Sequence, residues 1–470
     1  MAARFKSFDG ESPYLLPPSL QDWLPEEHIA HFIIDAVGLL PMSEFHVNHN
    51  GNGSEQFHPH VMCSLLIYCY ATGRFSSRSI ESATYSDVAV RFIAANEHPD
   101  HDTICKFRRD NGKAFKSAFI RVLELATELG ALKKLGGISI DGTKIKANAS
   151  KHSAVSYKKA EELMGRLSNE IEQLLEKAEA ADSKPLEEGL SIPDEIARRQ
   201  DRIEKLKAAR QIIEERHAEN IKIKQQEYEE KQKKRDLLRQ QGKKPKGKDP
   251  KPPSATPEDK AQVNLTDNES RIMKTSSSGF QQCYNAQAAV DTEGSMLILG
   301  GYVTNAGNDK QELIPSLESV GPSIREVTEL MADSGFYSEH GIEKIRQDPN
   351  RNTEVYCAVE RTTHGWTVED LEQKEDSLDI DTNLNTTEQM KQKLRTKRGK
   401  ECYKLRKQTV EPVFGIMKSV LGFRQFFLRG LDKVNLEWDL LSLAYNLKRL
   451  HKLNKGTAVS SVDKKFFIGA

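Results

Sequence analysis

One abrupt change of sequence pattern constrains the fold most strongly. Residues 136–141 read as a strand, but residues 156–240 are polar, dense in charge and nearly free of glycine. The apolar residues of that segment recur at spacings of three, four and seven, as on one face of an α-helix. They are Leu163, Leu167, Ile171, Leu174, Ile196, Ile203, Leu206, Ile213 and Ile221. Prolines at 185 and 193 interrupt the stripe once, so the segment predicts a long helical hairpin inserted behind the first strand of a sheet.

Strands return from Phe280 onward. The pattern predicts a hairpin, a helix, two more strands, a polar loop and C-terminal helices. We place the hairpin at 286–291 and 296–303, the helix at 311–320, and the two further strands at 327–333 and 353–359. The polar loop covers 361–390, and the C-terminal helices cover 401–420 and 436–453. With the insertion removed, this order matches the topology of ribonuclease-H-like folds, in which the first and fourth strands are neighbours. We therefore predict an α/β protein with a ribonuclease-H-like mixed-sheet catalytic core, a helical N-terminal domain and a helical-hairpin insertion.

Domain boundaries follow from the same changes of pattern. A helical N-terminal DNA-binding domain is expected over 1–135, and the catalytic domain is expected in two parts, 136–155 and 263–455. The insertion with its basic linker covers 156–262, and a tail covers 456–470. The lysines of the Pro-rich linker either contact DNA phosphates or only keep the linker soluble.

The N-terminal domain is predicted to read DNA. Asp102 and Thr103 can N-cap a long helix over 104–129. This helix carries five basic residues, which are Lys106, Arg108, Arg109, Lys113 and Lys116. Short helices followed by a longer basic one suit a helix-turn-helix reader of duplex DNA. The alternative is a helical packing domain with a solvated charged face.

Charge is balanced over the whole chain but not locally. The 470 residues contain 69 Lys or Arg and 69 Asp or Glu. Between 391 and 430, however, 12 Lys or Arg stand against only Glu401 and Glu411. This predicts a positive face around a lone carboxylate, as where an anionic polymer meets a metal site. Six cysteines without a CxxC pair, no signal-peptide pattern and no apolar run of membrane-span length predict a soluble, cytoplasmic protein.

Three carboxylates are candidates for a metal-dependent phosphoryl-transfer site. Asp141 and Asp333 each follow an apolar, strand-like run and precede a glycine-containing turn, and Glu411 lies in a segment with helical periodicity. Two divalent metals need hard, anionic oxygen ligands held by rigid elements. Taken singly, the three have plain structural alternatives: a turn, a helix N-cap and a surface helix position. Their joint order, element types and basic surroundings favour a site, whereas Asp291 is explained by the turn that follows it.

Five stretches of the chain form long motifs. They are Asp141-Gly-Thr-Lys-Ile-Lys-Ala-Asn-Ala-Ser, Thr266-Asp-Asn-Glu-Ser-Arg-Ile-Met, Gly279-Phe-Gln-Gln-Cys-Tyr-Asn-Ala-Gln-Ala-Ala-Val-Asp, Ala332-Asp-Ser-Gly-Phe-Tyr, and Val410-Glu-Pro-Val-Phe-Gly-Ile-Met-Lys with its continuation to Glu437-Trp-Asp-Leu. Over nearly the whole chain they resemble bacterial insertion-sequence transposases with a DDE active site. The resemblance implies a ribonuclease-H-like core in which Asp141, Asp333 and Glu411 hold two Mg²⁺ ions, or alternatively Mn²⁺.

A transposase is implied to bind terminal inverted repeats, cleave DNA with water and join the freed 3′ hydroxyl to target DNA. Its expected partners are double-stranded DNA at the element ends and at the target, with a homodimer in the DNA complex. We expect no membrane association and a nucleoid-associated cytoplasmic location. The alternative is a ribonuclease-H-like nuclease, or a domesticated DNA-binding protein, without strand transfer.

Related transposases also carry a Tyr, Arg, Glu, Lys signature on the last helix of the site. Tyr403, Arg406, Glu411 and Lys418 resemble it, with one additional residue between the Arg and Glu positions. Either Arg406 or Lys407 therefore takes the basic role. These residues and Lys144 are candidate phosphate contacts, although Tyr403 is equally well explained as a packing residue.

Overall fold

A computed structural model describes residues 19–47, 55–181, 191–240, 249–275, 279–360 and 384–456. It contains two compact units. The first comprises 1–145, 285–428 and 432–470, and the second comprises 146–284 and 429–431. None of the described helices is long and apolar enough to span a membrane.

Helices make up the N-terminal part of the first unit, as predicted. They are α1 (Ile29–Gly38), α2 (Pro59–Ala71), α3 (Ser77–Ser86), α4 (Val88–Ile93), α5 (His101–Asp110) and α6 (Gly112–Glu128). Every residue of α2 from Met62 to Ala71 is buried, because this helix is apolar all round and lies at the centre of the helical layer. Ser76, Asp87 and Asp100 each accept hydrogen bonds from backbone N–H groups of the helix that follows.

The prediction of a single helix over 104–129 is wrong, because the helix breaks at Asn111. The Asn111 backbone leaves helical geometry, its Nδ2 donates to the Phe107 carbonyl, and its Oδ1 accepts from the His46 backbone N–H. At the next position, a Cβ on Gly112 would lie 2.0 Å from a Leu436 side-chain atom. The N-cap was also misplaced, since Asp100 accepts from Thr103 N at the start of α5.

Arg108 is buried, unlike the other basic residues assigned to this predicted helix. It is 4% exposed, and its Nη1 donates to the Tyr70 hydroxyl and the Phe75 carbonyl, each at 2.8 Å. The same nitrogen lies 3.9 Å from Glu437 Oε1. The other four basic residues are exposed, namely Lys106, Arg109, Lys113 and Lys116.

The described strands form two sheets. They are β1 (Leu135–Lys146), β2 (Ala154–Ser156), β3 (Gln262–Asn264), β4 (Arg271–Thr275), β5 (Gly279–Asp291), β6 (Ile298–Thr304), β7 (Glu326–Ala332) and β8 (Glu354–Cys357). The larger sheet has the order β4-β5-β1-β7-β8, with β6 also paired to β5, and β2 pairs with β3. The pairs β5–β6 and β4–β5 are antiparallel, whereas β1–β7 and β7–β8 are parallel. The predicted hairpin and mixed sheet are therefore present.

The register of β1 against β7 determines the relative positions of the two candidate aspartates. Ser139 lies opposite Met331, so Asp141 and Asp333, each two residues further along, lie side by side across neighbouring parallel strands. The predicted adjacency of these strands is confirmed. The prediction that Asp141 ends its strand is wrong, because β1 continues through Gly142 to Lys146.

The remaining described helices of the first unit are α9 (Leu313–Glu318), α10 (Glu339–Gln347), α11 (Thr386–Arg395), α12 (Lys397–Gln408), α13 (Val410–Gly415) and α14 (Leu431–Gly456). Two further predictions need correction. The helix expected over 401–420 is interrupted at Thr409 (φ −118°, ψ −79°) and ends in a π-helical turn over Ile416–Val420. The loop expected over 361–390 overlaps α11, while 361–383 lie outside the described residues.

Two long helices dominate the second unit, α7 (Tyr157–Ala181) and α8 (Ile192–Gln240). They pack against each other as the predicted hairpin requires, around a core that includes Leu167, Leu206 and Ile213. The predicted insertion, 156–262, lies within this unit. Residues 182–190 and most of the basic linker, 241–248, lie outside the described residues.

Candidate functional site

Asp141 and Asp333 form the centre of the candidate site. Asp141 Oδ1 accepts from the Gly142 N–H at 2.9 Å, and Asp333 Oδ1 accepts from the Gly335 N–H at 2.8 Å. The pKa of Asp141 is raised to about 7, mainly by burial and secondly by the neighbouring Asp333 carboxylate. The Arg406 guanidinium opposes this rise. Two acids so close together are unfavourable unless a cation or a proton compensates their charge.

Arg406 supplies such a cation and connects the third candidate, Glu411, to the pair. Its Nη2 lies 2.7 Å from Glu411 Oε1, and its Nη1 lies 3.9 Å from Asp141 Oδ2. Burial lowers the pKa of the Arg406 guanidinium, but Tyr403, Asp141 and Glu411 outweigh burial and hold that pKa above its ordinary value. The Glu411 side chain remains 44% exposed, so one face of its carboxylate is accessible to solvent.

The donor set suits a divalent cation in its chemistry, although it is not assembled as a ready cage. Among the described residues, no group of three or more His, Cys, Asp or Glu is arranged to hold a metal ion. Asp141, Asp333 and Glu411 offer the hard carboxylate oxygens that Mg²⁺ and Mn²⁺ prefer. The Arg406 guanidinium contacts two of the three carboxylates, Asp141 and Glu411. It therefore provides the positive charge that a metal ion would otherwise supply.

Arg406 and Lys407 have different surroundings near the end of α12, which stops before the helix break at Thr409. Arg406 is 8% exposed and contacts the carboxylates, whereas Lys407 is exposed on α12. The additional residue in the signature is accommodated where α12 ends and α13 begins. Arg406 is therefore the basic residue that faces the site.

The other candidate phosphate contacts fall into two places, one beside Arg406 and one beside Asp309. Tyr403 is half-buried, with the Arg406 guanidinium 5.6 Å from its ring centroid. Lys418 Nζ donates to the Lys144 carbonyl at 2.9 Å. Lys144 Nζ lies 3.8 Å from Asp309 Oδ1. The structure thus places Tyr403 against Arg406, and Lys144 and Lys418 against each other.

The positive segment predicted over 391–430 is partly neutralised. Lys391, Lys393 and Arg398 form ion pairs with Glu360, Glu354 and Glu329, respectively. The local excess of basic residues therefore overstates the charge available to a nucleic acid.

Asp291, which the sequence argument left outside the site, has a structural partner. Its Oδ1 lies 2.5 Å from Arg325 Nη1, with both side chains almost completely buried, and its Oδ2 accepts from the Ser295 hydroxyl at 2.6 Å. This carboxylate holds the turn after β5.

Sequence reasoning missed a fourth acid, Asp309, in the loop between β6 and α9. Its carboxylate accepts from Asn285 Nδ2 at 2.6 Å and from Gln287 Nε2 at 2.8 Å, both on β5. The two amides offered a signal, since they occupy alternate positions on one face of β5, flanked by alanines at 286, 288 and 289. Asp309 itself gave none, because nothing in the loop pattern places it beside β1.

Comparison with protein families gives two matches. A model described as a transposase DDE domain matches residues 367–451, a segment that contains Arg406 and Glu411 but neither Asp141 nor Asp333. A model described as a transposase domain (DUF772) matches residues 18–110, the helical N-terminal part. No curated protein and no solved structure matches the chain.

Proposed function

We propose that this chain, whose matches to two transposase family models indicate an insertion-sequence DDE transposase, binds the terminal inverted repeats of its own element and catalyses metal-dependent DNA cleavage and strand transfer. One observation carries this proposal. Asp141 on β1 and Asp333 directly after β7 lie at corresponding positions of a parallel strand pair, and Arg406 forms ion pairs with Asp141 and with Glu411 of α13. A surface without a catalytic role gains nothing from close carboxylates, because their mutual repulsion is costly.

Asp141, Asp333 and Glu411 would hold the divalent ions, Mg²⁺ or Mn²⁺. When bound, such ions polarise the phosphodiester and activate the attacking oxygen. The chain itself would position the substrate: Arg406 contacts the carboxylates, Tyr403 lies beside Arg406, and both offer donors to DNA phosphates, as does Lys418 next to Lys144. Without metal, Arg406 compensates the negative charge of the carboxylates. When metal ions compensate that charge instead, the Arg406 guanidinium would be available to contact a phosphate.

A ribonuclease-H-like core is part of the proposal. The strand order β6-β5-β1-β7-β8, with an antiparallel hairpin on one side and parallel strands on the other, supports it. The helical region matched by the second family model supports a DNA-binding role for the N-terminal part. The homodimer in the DNA complex and the nucleoid-associated location stay predictions.

The direct test uses a supercoiled plasmid that carries the two ends of the element as they flank the gene. The full-length protein with Mg²⁺ should nick the plasmid at the end sequences and join the freed 3′ ends to a second DNA. Asp141→Asn and Asp333→Asn should bind the ends without cutting them. Cleavage without joining would favour the alternative, a nuclease, and metal-independent or absent cleavage by the folded protein would contradict the proposal.

A further inference from the structure

Asp309 lies beside both catalytic aspartates although it belongs to a different loop. A Cβ placed on Gly142, the residue after Asp141, would lie 2.6 Å from Asp309 Oδ1. A Cβ placed on Gly335, two residues after Asp333, would lie 2.9 Å from Asp333 Oδ1 and 3.7 Å from Asp309 Oδ2. Glycine at these two positions leaves room for the Asp309 carboxylate against both aspartate segments.

The two oxygens of Asp309 have different surroundings. Oδ1 accepts from the amides of Asn285 and Gln287 and lies 3.8 Å from the Lys144 ammonium. Oδ2 faces the turn that follows Asp333. The amide donors are thus on Oδ1, whereas Oδ2 lies 3.7 Å from the Cβ position at Gly335, in the turn that holds Asp333.

Buried amide oxygens provide a second, independent indication of a cation. Asn285 and Gln287 are 0% and 1% exposed, and Asn285 Oδ1 and Gln287 Oε1 have no hydrogen-bond partner among the described residues. Gln287 Oε1 lies 3.0 Å from the position of a Cβ on Gly142, close to Asp309 Oδ1. A buried acceptor without a partner is costly, and carboxamide oxygens beside a carboxylate are ligands that hard cations accept.

We propose that Asp309 is a fourth acidic residue of the metal centre, contributing an oxygen to the divalent cation beside Asp141 and Asp333, directly or through a bound water, with Asn285 and Gln287 fixing its carboxylate. The proposal rests on the proposed function, because it requires the metal centre of Asp141 and Asp333. The competing explanation is that Asp309 serves only as the counter-ion of Lys144.

The test measures Mn²⁺ binding to the full-length protein without DNA, from the paramagnetic resonance signal of free Mn²⁺. Asp309→Asn should weaken Mn²⁺ binding about ten-fold or more, as loss of an outer ligand usually does. The matched control is Glu312→Gln, a buried carboxylate of the same loop that accepts from the Tyr302 hydroxyl, and it should bind Mn²⁺ like wild type. Thermal unfolding of the metal-free variants, and the rise in Tm on adding Mn²⁺, check folding independently.

The outcomes separate the competing explanations. Unchanged Mn²⁺ affinity in Asp309→Asn overturns the inference, and so does an equal loss of affinity in Lys144→Met, because Asp309 would then act through the lysine. If Asp309→Asn does not fold, Asp309→Glu replaces it: the displaced carboxylate should shift Mn²⁺ affinity several-fold, and wild-type affinity would overturn the inference.

If Asp141→Asn and Asp333→Asn bind Mn²⁺ normally, the metal centre of the proposed function is wrong. If they lose Mn²⁺ while Asp309→Asn retains it, only the role of Asp309 is wrong.

Discussion

Two buried arginines of the first unit each contact a glutamate, and their surroundings differ. Arg108 and Glu437 are 4% and 0% exposed, and Glu437 also accepts from the Tyr70 hydroxyl and from the backbone N–H groups of Phe427 and Leu428. The side chains of Arg406 and Glu411 are 10% and 44% exposed, and the second acid near Arg406 is Asp141. The first pair is enclosed by neutral donors, whereas the second is open and shares its cation with another acid.

The difference shows that a pair of the same residue types, arginine and glutamate, can have either a structural or a functional role. An enclosed pair whose oxygens all have donors holds elements together, and removing one partner leaves a buried charge. In the Arg108 pair, burial lowers the pKa of the guanidinium, but Tyr70 and Glu437 outweigh burial and keep that pKa above its ordinary value. An open pair is weakly held by comparison, so its carboxylate can exchange one cation for another.

The largest effect is expected from Glu411→Gln, which keeps the shape of the side chain but removes its charge. Cleavage of end DNA in Mg²⁺ should fall by about three powers of ten or more, because the carboxylate charge that binds metal is lost. Binding to the same DNA should stay near normal, since phosphate contacts by Lys and Arg supply most of the affinity. A gel shift and a cleavage assay on one oligonucleotide measure both, with Glu401→Gln, an exposed position on α12, as the control. Wild-type cleavage by Glu411→Gln would disprove the catalytic assignment.

Arg108→Met should affect stability instead. Leaving Glu437 buried without its cation should lower the free energy of unfolding by about 3–5 kcal/mol. Arg406→Met should cost less, on the order of 1 kcal/mol, because Glu411 is solvent-exposed. Urea denaturation of the two variants and the wild type measures the difference. Equal losses would show that the open pair is also a structural one.

A smaller effect separates Arg406 from Lys407. Arg406→Ala should weaken binding to end DNA and reduce the slope of log affinity against log salt by about one, because one phosphate contact is lost. Residual cleavage should persist at high protein concentration. Lys407→Ala, an exposed neighbour on the same helix, is the matched control and should bind like wild type across the salt series. The reverse result would assign the phosphate contact to Lys407.

The smallest effect concerns Asp439, which lies next to the enclosed pair on α14. Burial raises the pKa of Asp439 to about 6, opposed by Lys116, whose Nζ is 3.4 Å from Oδ1. Because the folded-state pKa is raised, ionised Asp439 costs stability that is recovered as pH falls from above 6 toward 4. Asp439→Asn lacks this dependence, so its Tm advantage over wild type should be largest near pH 7.5 and shrink below pH 5. A constant Tm difference across that range would contradict the assignment.

The sequence predicted the parts of the site that depend on local pattern. Apolar runs located β1 and β7, and the order of the strands placed Asp141 beside Asp333. The breaks at Asn111 and Thr409 escaped prediction, because helical periodicity continues across both and the interruption depends on side-chain contacts and backbone angles.

Burial and loop placement escaped prediction for a related reason. Arg108 was expected at the surface because a charged residue is rarely buried without a partner, and its partners Tyr70 and Glu437 are distant in sequence. Asp309 was missed because its position depends on hydrogen bonds from Asn285 and Gln287 across the sheet. Both cases require tertiary contacts that no local pattern encodes.

The spread of the site along the chain has a consequence for protein synthesis. The acids at 141, 333 and 411 come from segments far apart in sequence, and β1 finds its partner β7 only after residues 146–284 of the second unit have been made. A chain emerges from the ribosome N-terminus first, so its helical N-terminal part is available long before Glu411 exists. The proposed cutting activity therefore cannot begin before residue 411 has been made, and a product truncated before that residue would retain the N-terminal helices while lacking the complete set of acids.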